Sequence, residues 1–107
     1  MEATLDETSA KRGQGVTIKV VIADDHSLVR QGLRRYLDMA EDIDVVGEAS
    51  NGEEAIALVE KSQPDIVLLD IRMPGVDGLE AARRIRELFP KVGAIMLTAY
   101  DDRQFVV

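Results

Sequence analysis

The sequence predicts an α/β fold, a parallel sheet wound with right-handed crossovers. Short apolar runs alternate along the chain with stretches of helical period, and the joints between them are short and carry Pro, Gly or Asn. Such alternation gives parallel strands joined by crossover helices. Two of the runs, Ile18-Lys19-Val20-Val21-Ile22-Ala23 and Ile66-Val67-Leu68-Leu69, lead directly into acids, Asp24-Asp25 and Asp70. A strand buried on both faces reads as a continuous apolar run, and an acid after it stands at the carboxyl edge of the sheet. That edge is where open α/β sheets bind ligands.

Met1 to Val16 is polar, carries Gly13 and Gly15 and shows no period, so residues 1–16 read as a flexible leader before a domain over residues 17–107. Strand 1 is Ile18–Ala23. A helix is expected from Ser27 to Ala40, with Leu28, Val29, Leu33, Tyr36, Leu37 and Ala40 at helical spacing. Ile43–Ala49 reads as a second strand, in a more exposed place because Asp44 and Glu48 interrupt it. Asn51-Gly52 marks a turn, and Glu53 to Ser62 a helix with Ala55, Ile56 and Val59 inward. Gln63-Pro64 closes it, since a proline disfavours helix in the residue before it. Strand 3 is Ile66–Leu69. A loop follows through Met73-Pro74-Gly75 to Asp77, then a helix over Gly78–Phe89 with Leu79, Ala82, Ile85 and Leu88 inward. Pro90 ends it, Gly93–Leu97 is strand 4, and Asp101–Val107 is able to open a further helix.

The 107 residues suffice for one domain, and the 46% apolar content is normal for a packed core. A net charge of −7 argues against this segment binding nucleic acid or an anionic membrane by itself. The absence of cysteine excludes disulfides and thiolate metal sites and is compatible with a reducing cytosol. No apolar run approaches the roughly 18 residues that span a bilayer. A cytoplasmic domain is the expectation. Three carboxylates at one sheet edge repel one another unless a cation joins them. The pattern therefore suggests a site for a hard divalent metal, with one carboxylate available as a nucleophile.

Four motifs stand in order at strand ends: Val20-Val21-Ile22-Ala23-Asp24-Asp25-His26, Pro64-Asp65-Ile66-Val67-Leu68-Leu69-Asp70, Met73-Pro74-Gly75-Val76-Asp77-Gly78 and Met96-Leu97-Thr98-Ala99. In this the chain, from Ile18 to Val107, resembles the receiver domain of bacterial two-component response regulators. The run Asp24-Asp25-His26-Ser27-Leu28-Val29-Arg30-Gln31-Gly32-Leu33 is most similar to the LuxR/NarL subfamily, whose members usually carry a helix-turn-helix domain after the receiver. The resemblance implies a doubly wound, flavodoxin-like sheet of order 2-1-3-4-5, with a switch point between strands 1 and 3. Adjacent strands lie about 4.8 Å apart, so side chains just past their ends can share an ion.

By the same resemblance Asp70 is the phosphoacceptor, taking a phosphoryl group from a sensor histidine kinase as an acyl phosphate. Asp24, Asp25, Asp70 and the backbone carbonyl of Arg72 would hold Mg²⁺, Asp25 directly and Asp24 mostly through water. Mg²⁺ takes six oxygens at about 2.0–2.1 Å and keeps several waters, so this donor set is sufficient. Thr98 would hydrogen-bond a phosphoryl oxygen and carry the switch, and Tyr100 with Arg72 would tune dephosphorylation. The bland alternatives are a surface aspartate after a strand for Asp70, a helix-capping turn for Asp24-Asp25 and an ordinary strand residue for Thr98. His26 reads as a common loop residue. Arg30, Arg34, Arg35, Arg83, Arg84 and Arg86 read as solvated helix faces, and the resemblance implies kinase contacts among the first three.

The receiver pattern continues into a fifth strand that opens with a lysine, an aromatic switch residue and a last helix, and none of these occurs before Val107. Lys91 precedes strand 4 and does not substitute for that lysine. The expectation is thus a sheet of order 2-1-3-4, with homodimers or domain-swapped oligomers as a consequence of the open edge. The parent would regulate transcription through a helix-turn-helix domain. A self-associating fragment unable to accept phosphate is the first alternative. A Mg²⁺-dependent aspartyl phosphatase is the second; it would need an acid two residues after the nucleophile, where Arg72 stands.

Overall fold

A computed structural model of the chain describes residues 16–97. The leader expected over residues 1–16 falls outside them except for Val16, and so do Thr98, Ala99, Tyr100 and the stretch to Val107. The elements run β1 (Ile18–Ala23), α1 (Ser27–Asp38), β2 (Ile43–Ala49), α2 (Gly52–Ser62), β3 (Ile66–Asp70), α3 (Gly78–Leu88) and β4 (Gly93–Leu97). All pairings are parallel and the strand order is β2-β1-β3-β4. The fold is therefore the doubly wound α/β sheet that the alternation implies, with the switch point between β1 and β3.

The two central strands are deeply buried. Val21, Ile22, Ala23, Val67 and Leu69 are fully buried. On one face, Val21, Ala23, Val67 and Leu69 pack with Ala55 and Val59 of α2 and with Ala81, Ala82 and Ile85 of α3. On the other, Val20, Ile22 and Val45 pack under Leu33 and Leu37 of α1. Both faces of the central strands are thus covered, which is why they read as unbroken apolar runs. The edge position of β2 agrees with its polar interruptions. A bulge shifts the β1–β2 register so that Val20 faces Val45 but Val21 faces Gly47.

Several sequence expectations need adjustment. Helix α1 stops at Asp38, two residues before Ala40, and buries nothing fully; Leu28, Val29 and Tyr36 are exposed. Only Leu33 and Leu37 of its stripe reach the sheet. Helix α2 begins at Gly52 because the Asn51 side chain caps it by accepting from the Glu54 N–H at 2.9 Å. In α3, Leu79 and Leu88 point outward, and the inward stripe is Ala81, Ala82 and Ile85. Small residues lie there because the helix sits close to the sheet. Among the described residues no helix is long and apolar enough to cross a membrane.

Candidate functional site

The register of the two central strands builds the site. Ala23 of β1 pairs with Leu69 of β3, so the next residues, Asp24 just past β1 and Asp70 at the end of β3, stand level with each other. The Asp24 N–H is held by the Ala49 carbonyl of β2 at 3.0 Å, which keeps this segment in line for one residue past the strand. Ligand atoms of Asp24, Asp25, His26 and Asp70 then all lie within 4.8 Å of one another. Asp24 is buried, Asp70 half-buried and Asp25 exposed. The three aspartates singled out in the sequence are thereby brought together.

His26 joins them. Its backbone N–H donates to Asp24 Oδ1 at 2.8 Å, and its ring Nδ1 lies 2.9 Å from the same oxygen and 3.0 Å from Asp25 Oδ1. The hydrogen bond to Asp24 and the negative charge of Asp25 hold the imidazole pKa above its ordinary value. Burial pushes the Asp70 carboxyl above the usual carboxylate range, with the Asp24 charge adding to it, while a hydrogen bond from the Arg72 backbone pulls the other way. Asp70 is thus an acid whose ionised form is opposed by its surroundings until positive charge arrives.

The loop from Ile71 to Asp77 forms the other wall of an open cleft of about 490 Å³ lined by Asp25, Ile71, Arg72, Met73, Pro74 and Asp77. Its shape is fixed at both ends. Ile71 N–H donates to the Leu97 carbonyl at 3.3 Å, and Gly78 N–H returns to the Ile71 carbonyl at 2.9 Å. Gly75 takes a positive φ of 72°, open to glycine at little cost. Asp77 caps α3 by accepting from the Glu80 N–H at 2.9 Å. Arg72 lines the same cleft as Asp25. Thr98 lies outside the described residues.

The donor set fits a hard divalent cation. It offers three carboxylates at one point, and hard oxygen ligands of this kind suit Mg²⁺. Of the residues passed over in the sequence, His26 was signalled by its place beside the acid pair. Arg30 was not expected here: its side chain is only 19% exposed, and it donates to the Asp24 carbonyl at 2.5 Å. The solvated-face reading fails for it. Arg30 follows His26 by one helical turn, and that spacing was the available signal.

The response regulator receiver domain matches residues 20–107 of this sequence. The chain belongs to the response regulator receiver domain family. The receiver is 46% identical over 90 residues to the transcriptional regulatory protein YhcZ of Bacillus subtilis (strain 168), a match covering 84% of this chain and 42% of that protein. It is 44% identical over 89 residues to the transcriptional regulatory protein DegU of Brevibacillus brevis, covering 83% and 38%. Among solved structures, the signal receiver domain of the response regulator NarL from Mycobacterium tuberculosis superposes with a TM-score of 0.77 at 37% identity, over 83% of this chain and 72% of that one. The receiver therefore spans well under half the length of these curated relatives, which are regulators of the LuxR/NarL type. RcsB from Salmonella enterica serovar Typhimurium, bound to a promoter with phosphomimetic BeF3⁻, superposes at 0.71 with 34% identity, over 77% of this chain and 42% of that one.

Proposed function

We propose that this receiver accepts one phosphoryl group on Asp70 from the phosphohistidine of a sensor histidine kinase, and that a longer cytoplasmic protein uses the change to regulate transcription through DNA. The observation that carries the reading is the meeting of Asp24, Asp25 and Asp70 at the carboxyl edge of the two central strands. An Asp70 carboxylate oxygen attacks phosphorus, a P–O bond forms as the P–N bond breaks, and the departing imidazole keeps the electron pair and takes a proton. Asp24, Asp25 and the Arg72 carbonyl, together with Asp70, would hold Mg²⁺. When bound, the ion supplies positive charge that offsets the carboxylates and the phosphoryl oxygens. The half-buried position of Asp70 limits competing water, and the open cleft beside Asp25 admits the donor. Thr98 remains the proposed partner of a phosphoryl oxygen and Tyr100 a tuning residue.

The receiver is a phosphoacceptor rather than a phosphatase on this reading, since Arg72 stands where a phosphatase of this kind needs its second acid. Incubation with a small phosphodonor and Mg²⁺ should add about one phosphoryl group per chain, found on the peptide containing Asp70. Asp70→Asn should abolish labelling, while Asp65→Asn should retain it. Undiminished labelling of Asp70→Asn would remove that residue from the role.

A further inference from the structure

Asp24 has every backbone polar group engaged. Its N–H donates to the Ala49 carbonyl, its Oδ1 accepts twice from His26, and its carbonyl accepts from Arg30 Nη1 at 2.5 Å. The last of these bonds matters most for geometry. The Asp24 carbonyl belongs to the same rigid peptide plane as the Asp25 N–H, because the amide bond is planar. Whatever fixes that carbonyl also fixes the direction in which the Asp25 Cα–Cβ bond leaves the chain, save for one rotation. Asp25 is itself the more exposed acid, and its side chain meets the His26 ring at 3.0 Å.

The guanidinium is in turn held from outside. Arg30 Nε lies 3.4 Å from Glu48 Oε1 on β2, and Glu48 Oε2 accepts from Arg34 Nη1 at 2.7 Å. Arg34 Nε is 3.9 Å from Asp38. Arg30 is anchored through its backbone as well, where its N–H donates to the His26 carbonyl at 3.0 Å. A chain of charges on α1 and the edge strand therefore ends on one carbonyl at the mouth of the acid site. A long, mostly buried cation has lost side-chain freedom to reach that atom, and its planar fork allows it to hold Glu48 and the carbonyl at once.

We infer that Arg30 is a positioning residue for the acid site: it locks the Asp24–Asp25 peptide so that the Asp25 carboxylate faces Asp70 in a geometry ready for a divalent cation, with Glu48 holding Arg30 in place. The inference rests on the proposed function, because it assigns Arg30 to the cation site used there. Groups one shell removed from metal ligands typically change metal affinity about 10- to 100-fold when lost.

The test is Mg²⁺ titration of the whole chain, followed by NMR at the Asp25 amide and by calorimetry, with urea unfolding measured in parallel. Arg30→Ala should weaken Mg²⁺ binding about 10-fold or more and move the Asp25 amide signal before any Mg²⁺ is added. Arg30→Lys, which keeps one donor and loses the fork, should fall between Arg30→Ala and the wild type; it also serves if Arg30→Ala does not fold. Glu48→Ala should weaken binding in the same direction by a smaller factor. Arg35→Ala, exposed on the same helix, should leave binding unchanged. Arg30 variants that lose stability yet bind Mg²⁺ as the wild type does, with the Asp25 amide unmoved, would overturn the inference and leave the proposed function standing. A wild-type chain that binds no Mg²⁺ would overturn both.

Discussion

A methyl group added at Gly78 would overlap the Asp70 carbonyl oxygen, and one added at Gly52 would overlap the Val76 carbonyl oxygen. Both contacts are with backbone, which cannot swing aside as a side chain does. These two glycines let the ends of α2 and α3 close on the loop that walls the acid cleft. Gly78→Ala should therefore cost about 1–3 kcal/mol or more, read from the urea midpoint, and should weaken Mg²⁺ binding with it. Gly32 is the contrast: it lies in the exposed part of α1 with nothing within 4 Å of an added methyl. Gly32→Ala should stabilise the chain by about 0.5–1 kcal/mol through helix propensity alone. Equal effects at the two positions would show that Gly78 is not held against the strand. Sequence reading placed Gly78 only at the start of the third helix. Its real constraint, contact with a carbonyl of another element, is a tertiary fact that no local pattern carries.

Helix α3 shows electrostatics at the level of an element. Its cap is Asp77, and just inside it Glu80 lies 2.6 Å from Arg83 Nη2 and 2.8 Å from Arg84 Nε. The two guanidinium groups lower the Glu80 pKa from 4.5 to about 2. A carboxyl depressed on folding stabilises the folded chain fully above its unfolded value and loses that contribution as pH falls through the folded one. The helix should therefore lose this support between about pH 4.5 and pH 2, and salt should shrink the effect because the groups are exposed. A carboxylate NMR titration of Glu80 should show a midpoint near 2 that returns toward 4.5 in Arg83→Ala/Arg84→Ala; a midpoint already at 4.5 in the wild type would contradict the pairing. The existence and order of all seven elements were legible because apolar runs and helical spacing are local. The inward face of α3 was legible only in part: Ala82 and Ile85 are buried as expected, but Leu79 and Leu88 point outward and Ala81 is buried in their stead, which the closeness of helix to sheet decides.

At the scale of the molecule, the described residues form one four-stranded sheet that serves two cores, and its central strands carry both the packing and the acids. Leu69 is fully buried on β3, one residue before Asp70. Leu69→Ala should cost about 2–5 kcal/mol with little change in the urea slope, since it removes core volume without altering the area exposed on unfolding. The convergence of Asp24, Asp25 and Asp70 was legible in the sequence as acids at strand ends, and it follows from strand order. The roles of His26 and Arg30 were signalled only by position, beside the acid pair and one helical turn on, because their contacts depend on how the first turn of α1 meets the acid pair. The central claim is that these carboxylates from two strands share one divalent cation. Its most direct test is Mg²⁺ titration followed residue by residue by NMR. Saturating changes centred on Asp24, Asp25 and Asp70, lost in Asp25→Asn, are the expected result. Changes scattered over the acidic surface without saturation, or unaltered by Asp25→Asn, would contradict it.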